Sequence, residues 1–301
     1  MRILVVGAGA MGSFLGGLLA KRNDVTLVSR RPHADAIRRS GLRITGKSHI
    51  IAHPRVTTTL RDAPRADLVL IATKSYDTEA AVDSVRRLGR RALFVTLQNG
   101  LDNPATIARR ARRVVAGTTG IGVTFLRPGD VRHAGVGDTV VGAYAGATTD
   151  DAVLIRDLLI EAGVPTEVSR DIHRDLWAKV IVNCAINPLT AITHLKNGSI
   201  ARIPWLAEAA ASVCRECAAV ARAAGIGIAD DEAIRRTITV ARRTRENRSS
   251  MLQDVESRRR TEIDAINGAV VREAARRTVP APINAALHAL VRGIEESWRR
   301  D

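Results

Sequence analysis

The stretch Met1–Ser13, MRILVVGAGAMGS, decides how the rest of the chain is read. Arg2–Val6 is a short apolar run of β character, and it leads directly into Gly7-Ala8-Gly9-Ala10-Met11-Gly12 and then the helical SFLGGLLAKR. A G-x-G-x-x-G pattern gains meaning when it follows a strand and opens a helix, as here. Gly7 then permits the tight turn, Gly9 lets the backbone approach a pyrophosphate, and Gly12 lets helix and strand pack closely. The helix opening at Ala10, Met11 and Gly12 offers free N–H groups and a partial positive charge to the phosphates. The same glycine-rich start reads as strand and loop, not as a signal peptide.

Working outward, Asn23 is placed as the left-handed residue that ends the first helix, and Val25–Val28 is the second strand. A chain that holds NAD usually carries Asp or Glu after this strand, to bind the ribose hydroxyls. Here the residues are Ser29-Arg30-Arg31. Guanidinium groups in place of a carboxylate suit a 2′-phosphate, so the expected cofactor is NADP. Leu42–Thr45 and Val56–Thr58 read as short strands, and Asp67–Thr73, DLVLIAT, as a buried parallel one. Lys74 follows it, and Leu93–Leu97 delivers Gln98-Asn99-Gly100 in the same way, both at the carboxyl ends where open α/β sheets bind ligands. From Val114 to Val168 the runs TTGIGVTF, GDVRHAG, DTVVGAY and VPTEVS are expected to extend that sheet.

Beyond this point strand patterns stop. Trp205–Ala224, Asp231–Arg245 and Thr261–Arg276 read as amphipathic helices. The expected fold class is therefore α/β, with an N-terminal Rossmann-type dinucleotide-binding domain, residues 1–169, followed by an all-α C-terminal domain, residues 170–301. A chain of 301 residues fits two such domains.

The second domain opens with Asp175–Pro188, DLWAKVIVNCAINP. Read as a helix, it places Lys179, Asn183 and Asn187 at i, i+4 and i+8, one polar stripe on an otherwise apolar rod. A solvated face would be written with Glu, Arg and Gln. An ammonium and two carboxamides among Ile, Val and Trp suit a lined cavity instead, because they can attract an anion, donate, accept and release a proton. Pro188 is expected to end or kink this helix.

The formal charge is +15, from 46 Lys+Arg against 31 Asp+Glu, which raises nucleic acid as a partner. The basic residues are scattered, however, and aromatic residues are only 3%, leaving little on which to stack bases. Nearly all the cations are Arg, with Lys only at Lys21, Lys47, Lys74, Lys179 and Lys196. That sets Lys179 apart, since Arg stays protonated and serves poorly as a general acid. Three cysteines make no secreted disulfide framework, so a reducing cytoplasm is expected. Cys214 and Cys217 form a CxxC without a second pair or a His cluster, and so read as two small helix residues, not a metal site. No apolar run is expected to span a membrane.

Several segments together make the chain resemble the ketopantoate reductase (2-dehydropantoate 2-reductase) family over essentially its whole length. They are GAGAMG, the Lys74 segment ATKSYDT, LQNGL with Asn99, GDVRHAGVG around His133, WAKVIVNCAINPLTAIT, SSMLQD at Ser249–Asp254, TEIDAINGAVV at Thr261–Val271 and PAPIN at Pro280–Asn284. Asp102, Arg259 and Thr278 stand where the family usually has Gly. The resemblance implies hydride transfer from NADPH to the 2-oxo carbon of ketopantoate, giving pantoate on the route to pantothenate and coenzyme A. It implies Lys179 as general acid, Glu262 as partner of the substrate hydroxyl and Ser250 as a ligand of the carboxylate. Asn183 and Asn187 would hold the substrate, Lys74 and Asn99 would lie by the nicotinamide, and Arg30 would take the 2′-phosphate.

The residues themselves agree in part. An ammonium stabilises and protonates a developing alkoxide. Glu262 is read as beginning a helix with Ile263, Ile266 and Val270 as its buried stripe, although a glutamate at a helix start is also explained by the macrodipole. Ser250 is equally a turn or capping residue, and His133 reads as structural. Other expectations are a small 2-oxo acid as the partner molecule, no nucleic acid, no membrane, and a monomer or homodimer. The rival readings are a reductase of another branched 2-oxo acid and a non-catalytic dinucleotide sensor acting on nucleic acid.

Overall fold

The apolar runs that read as strands alternate their side chains between two faces, and each face has its own core. The computed structural model describes residues 1–60, 65–85, 87 and 91–298. Contacts divide the chain into two compact units, residues 1–98 with 103–172, and residues 99–102 with 173–301.

In the first unit the elements run β1 (Arg2–Val6), α1 (Ala10–Leu19), β2 (Asp24–Val28), α2 (Arg31–Ser40), β3 (Leu42–Gly46), β4 (Ile50–Ala52), β5 (Arg55–Thr57), β6 (Leu68–Ile71), α3 (Thr78–Val85), β7 (Leu93–Thr96), α4 (Asn103–Ala108), β8 (Val114–Thr119), β9 (Gly122–Arg127), β10 (Asp130–Gly135), β11 (Thr139–Ala145), α5 (Thr149–Glu161) and β12 (Thr166–Val168). Eight strands form one sheet in the order β12-β11-β8-β7-β6-β1-β2-β5. Only the β8–β11 pairing is antiparallel. Ile3 and Val5 of β1 enter one core with Leu15, Leu27 and Val95, while Leu4 and Val6 enter the other with Val69, Phe94 and Ile107. This is the period-two alternation of a sheet covered on both faces.

The expectation that all the later strands extend this sheet needs correction. Strands β8, β11 and β12 do so, but β9 and β10 form a second, four-stranded sheet with the earlier pair, in the order β4-β3-β10-β9. The reason lies in α1, which is buried continuously from Gly12 to Leu19. A helix apolar all round must be covered all round, and α1 packs against β1 and β2 of the large sheet and β3, β4, β9 and β10 of the small one. Its neighbouring glycines meet the two sheets in turn: a Cβ on Gly16 would strike Leu27, and one on Gly17 would lie 2.9 Å from Ile44 Cδ1. Asn23 is not left-handed. It caps α1 with its side chain instead, Nδ2 donating to Leu19 O at 3.1 Å.

The second unit is helical: α6 (Ile172–Thr193), α7 (Ser199–Arg202), α8 (Pro204–Ala223), α9 (Asp230–Arg243), α10 (Ser250–Glu256), α11 (Asn267–Arg276) and α12 (Pro282–Ser297). Ile172, the first residue of α6, clusters with the preceding unit, and the rest of the helix with this one. Pro188 neither ends nor interrupts α6, which continues to Thr193. Proline lacks the N–H that would bond to the carbonyl four residues back, here that of Cys184. Asn267 supplies the missing donor, its Nδ2 reaching Cys184 O at 3.1 Å. The same Nδ2 donates to Asn284 Oδ1 at 3.0 Å. Asn284 is held in turn by Glu216, whose carboxylate accepts from Asn284 Nδ2 at 2.9 Å and from the first backbone N–H groups of α12. A buried polar line thus runs from α8 through α12 and α11 to α6.

The segment expected as one helix from Thr261 to Arg276 is also different. Glu262 precedes a single 3₁₀ turn, Ile263–Ala265, and Ile266 (φ −103°, ψ −96°) breaks the chain before α11. Ile263, Ile266 and Val270 are nonetheless all buried, as expected. Thr278 adopts φ 56°, a conformation natural to the glycine that the resemblance places there.

Cys214 and Cys217 are buried free thiols against Thr237 (3.2 Å) and Asn284 (3.4 Å), and no group of metal-ligating side chains occurs among the described residues. Contrary to expectation, α6 is long and apolar enough for a membrane span by length and composition, 22 residues with mean hydropathy 1.3 over the best window. Within the protein 83% of that window is buried. Its apolar surface is consumed by Trp177, Val180, Ile181, Cys184 and Ile186 in the helical core.

Replacing Asn267 with Leu strands the carbonyl of Cys184 without its side-chain donor and leaves the amide oxygen of Asn284 with the weak thiol donor of Cys217. The expected result is a fall in melting temperature of roughly 5–10 °C, from about 2–4 kcal/mol of lost polar satisfaction. A melting curve superimposable on the parent's contradicts the role given to Asn267.

Candidate active site

In the first unit the candidate cofactor residues are brought to one edge by strand register. Val6 pairs with Val28 and with Ile71, and Ile71 pairs with Thr96. Four parallel strands therefore end together, so Gly7, Ser29, Ala72 and Leu97 begin four neighbouring loops. Gly7 has φ 99°, and a Cβ there would lie 2.6 Å from Thr73 N. This close approach seats the loop bearing Lys74 against the glycine loop. A Cβ on Gly12 would run into Gly7 O, whereas one on Gly9 would meet nothing within 4 Å. The loop is packed shut below and open above Gly9, which fits a dinucleotide pyrophosphate lying on the N-terminus of α1. Ala10 and Met11 open that helix.

Arg30 is the N-cap residue of α2 and Arg31 its first residue, both exposed two to three residues beyond β2. Lys74 is half-buried and precedes a short 3₁₀ turn, Ser75–Asp77. Gln98, which the sequence places with Asn99 at the carboxyl end of its strand, ties these loops together. Its Nε2 donates to Thr73 O and to Thr78 Oγ1, each at 2.8 Å, while its Oε1 accepts from Thr96 Oγ1 at 2.8 Å. Thr78 Oγ1 then donates to Asn103 Oδ1 at 2.8 Å.

In the second unit the polar stripe of α6 is present. Asn183 and Asn187 are 8% and 6% exposed, and Lys179 is half-buried one turn before Asn183. Asn183 Nδ2 donates to Asn99 Oδ1, and Asn99 Nδ2 to Glu262 Oε2, both at 3.4 Å. Asn183, Asn99 and Glu262, far apart in sequence, thus form one chain of contacts.

Asn99 and Glu262 are held from behind. The Asn99 loop is fixed by Leu101 N donating to Ala265 O at 3.2 Å. Arg272 Nη2 reaches Asp102 at 2.8 Å, so the aspartate that departs from the family pattern gains a partner. Glu262 is 7% exposed, and its position is set by Thr261, whose N and Oγ1 both donate to buried Glu295 at 2.7 and 2.6 Å.

Burial is the main cause that pulls the Lys179 pKa down to about 8, with Arg236 and Arg243 of α9 adding repulsion. An ammonium so placed is still mostly protonated near neutrality but gives up its proton more readily than an exposed lysine.

Ser250 does not cap a helix. Ser249 does, its Oγ accepting from Leu252 N at 3.0 Å and from Thr190 Oγ1 of α6 at 2.7 Å. Ser250 is the exposed first residue of α10, next to that anchor. His133 lies in β10 of the first unit, with Nδ1 2.9 Å from Ser48 Oγ and its ring 4.7 Å from that of Phe14.

Residues 3–146 match the family model described as Ketopantoate reductase PanE/ApbA, and residues 171–295 match Ketopantoate reductase PanE/ApbA C terminal. The 2-dehydropantoate 2-reductase of Pyrococcus horikoshii is 38% identical, over 98% of each chain. The crystal structure of a PanE/ApbA family ketopantoate reductase from Ralstonia eutropha JMP134 has a TM-score of 0.90 and 36% identity, covering 99% of this chain and 100% of that one. A ternary structure of D-mandelate dehydrogenase with NADH and anilino(oxo)acetate has a TM-score of 0.93 and 26% identity, with 99% of both chains covered. Two family models that between them take in both structural units, together with relatives matched end to end, show that this chain belongs to the ketopantoate reductase family.

Proposed function

We propose that the chain reduces 2-dehydropantoate to pantoate with NADPH, and so serves pantothenate and coenzyme A formation. The observation that carries the reading is the desolvated ammonium of Lys179 one turn from the Asn183–Asn99–Glu262 line. Bound NADPH supplies the hydride. Reduction of a 2-oxo carbon leaves negative charge on its oxygen, and Lys179 both stabilises that charge and delivers the proton. Asn183 and Asn187 offer carboxamides that can donate to oxygens of the substrate. Glu262, an acceptor fixed by Asn99 and by the Thr261–Glu295 contact, takes the hydroxyl hydrogen at the far end of the substrate. Ser250, the exposed first residue of α10, offers a hydroxyl that suits the substrate carboxylate. In the first unit Gly7, Gly9, Ala10, Met11 and Gly12 would hold the pyrophosphate and Arg30 the 2′-phosphate, and Lys74 would attend the nicotinamide, a role shared by Asn99 of the second unit.

A second reading is favoured by the likeness to D-mandelate dehydrogenase, whose structure holds NADH and an oxo acid analogue. In that case the substrate is a 2-oxo acid without the hydroxyl, and Glu262 has little to recognise.

One pair of variants separates these roles. Lys179→Ala is expected to lower kcat by about two to four orders of magnitude, the usual contribution of a positioned proton donor, while NADPH still binds. Glu262→Ala is expected to raise KM for 2-dehydropantoate as well as lower kcat, and to change little for 2-oxo acids lacking the hydroxyl. Near-normal turnover by Lys179→Ala contradicts the mechanism, and a Glu262→Ala variant that leaves KM and kcat for 2-dehydropantoate unchanged favours the second reading. For the cofactor, the parent is expected to prefer NADPH and Arg30→Asp to erode that preference. Steady-state oxidation of NADPH and NADH checks it, and equal use of both by the parent contradicts the assignment of Arg30.

A further inference from the structure

His33 lies in the first turn of α2, three residues after Arg30, yet only 4% of it is exposed. Its imidazole bridges two parts of the first unit. Gly129 N, in the turn between β9 and β10, donates to Nδ1 at 2.9 Å. Nε2 lies 2.9 Å from Ser13 Oγ, and Ser13 Oγ donates to Ala8 O at 3.1 Å. These contacts admit one arrangement of protons. Nδ1 accepts, so the ring is neutral and carries its hydrogen on Nε2; that hydrogen goes to Ser13, whose own hydrogen goes to Ala8 O. Burial lowers the pKa of His33, which keeps it in this form.

The mechanical consequence follows from what the two ends are. Ala8 O belongs to the peptide between Ala8 and Gly9, in the loop that is open above Gly9. Pinning that carbonyl fixes the plane of the peptide and hence the loop through which Ala10 and Met11 present their N–H groups. At the other end His33 N and Ala34 N both bond to Arg30 O at 3.1 Å, so the imidazole is rigidly joined to the turn that bears Arg30 and Arg31.

We infer that His33, acting through Ser13, is a positioning residue that sets the spacing between the pyrophosphate-binding loop and the first turn of α2, and so sets the preference for a 2′-phosphorylated dinucleotide. This rests on the cofactor reading above. A dinucleotide with a 2′-phosphate must satisfy both ends of the strut at once, whereas one without it engages only the loop. Loosening the strut therefore weakens NADPH more than NADH.

The test is fluorescence titration of NADPH and of NADH against the parent and the variants Ser13→Ala, His33→Asn and His33→Gln. Asn places an acceptor near Nδ1 but does not reach Ser13, whereas Gln places a donor near Nε2. Ser13→Ala and His33→Asn are each expected to raise the Kd of NADPH by about three- to tenfold, the worth of one buried hydrogen bond. The NADPH-over-NADH ratio of affinities falls with it, and His33→Gln restores part of that ratio. A role confined to stability lowers the melting temperature of the variants and leaves the ratio at the parent's value, which overturns the inference. A parent that binds neither dinucleotide overturns the cofactor reading and this inference with it.

Discussion

A single side-chain hydrogen bond, from Asn267 to the carbonyl of Cys184, lets α6 pass through Pro188 without losing its line. Without a substitute donor, proline in a helix interior leaves a buried carbonyl unpaired and costs about 3 kcal/mol or more. With one, Lys179, Asn183 and Asn187 stay at 3.6-residue spacing on one continuous rod that reaches Thr190, whose hydroxyl meets Ser249 beside Ser250. Asn267 also begins α11 directly after the turn that carries Glu262. The one amide therefore ties the stripe on α6 to the carboxylate beside it. Glu216 and Asn284 hold the amide in place from behind, which gives structural meaning to a buried polar network in an otherwise apolar core.

Electrostatics separate the site from the rest of the surface. Most cations of this basic chain are exposed arginines, many of them in pairs such as Arg2 with Asp67 or Arg277 with Glu273. Exposed pairs of that kind contribute little to stability. Lys179 is different because protein packs around it and its charged neighbours Arg236 and Arg243 share its sign. Positive charge gathered around a desolvated ammonium suits an anionic substrate and a developing oxyanion.

How far the sequence could be read depended on the range of the interactions. The glycine loop, the Arg30–Arg31 pair and the stripe on α6 are local patterns, with spacings of a few residues, and all were legible. The second sheet was not, because the pairing of Asp130–His133 with Arg43–Gly46 joins strands 87 residues apart. Its one local trace is the unbroken apolar character of α1, which requires cover on both sides. The continuity of α6 was misread because the donor that rescues Pro188 lies 83 residues from the acceptor. Glu262 was recognised from the resemblance, yet its local structure was taken for a helix start. The hydrophobic spacing of Ile263, Ile266 and Val270 survives a turn broken at Ile266, so periodicity could not reveal the break. The bonds made by Gln98, Thr190 and Ser249 are not legible because they depend on partners that no spacing discloses.

The pH dependence of kcat/KM for the oxo acid tests the central claim most directly, since that ratio reports ionisations of the enzyme before substrate binds. Lys179 acts in its protonated form, and its pKa is drawn down to about 8 by burial and by Arg236 and Arg243. Below that value the acid is present and the ratio is expected to be level. Above it the amine has no proton to give, and the ratio is expected to fall by about tenfold per pH unit. A profile that stays flat to pH ~10, near the ordinary pKa of lysine, contradicts the assignment of a desolvated Lys179 as the proton donor.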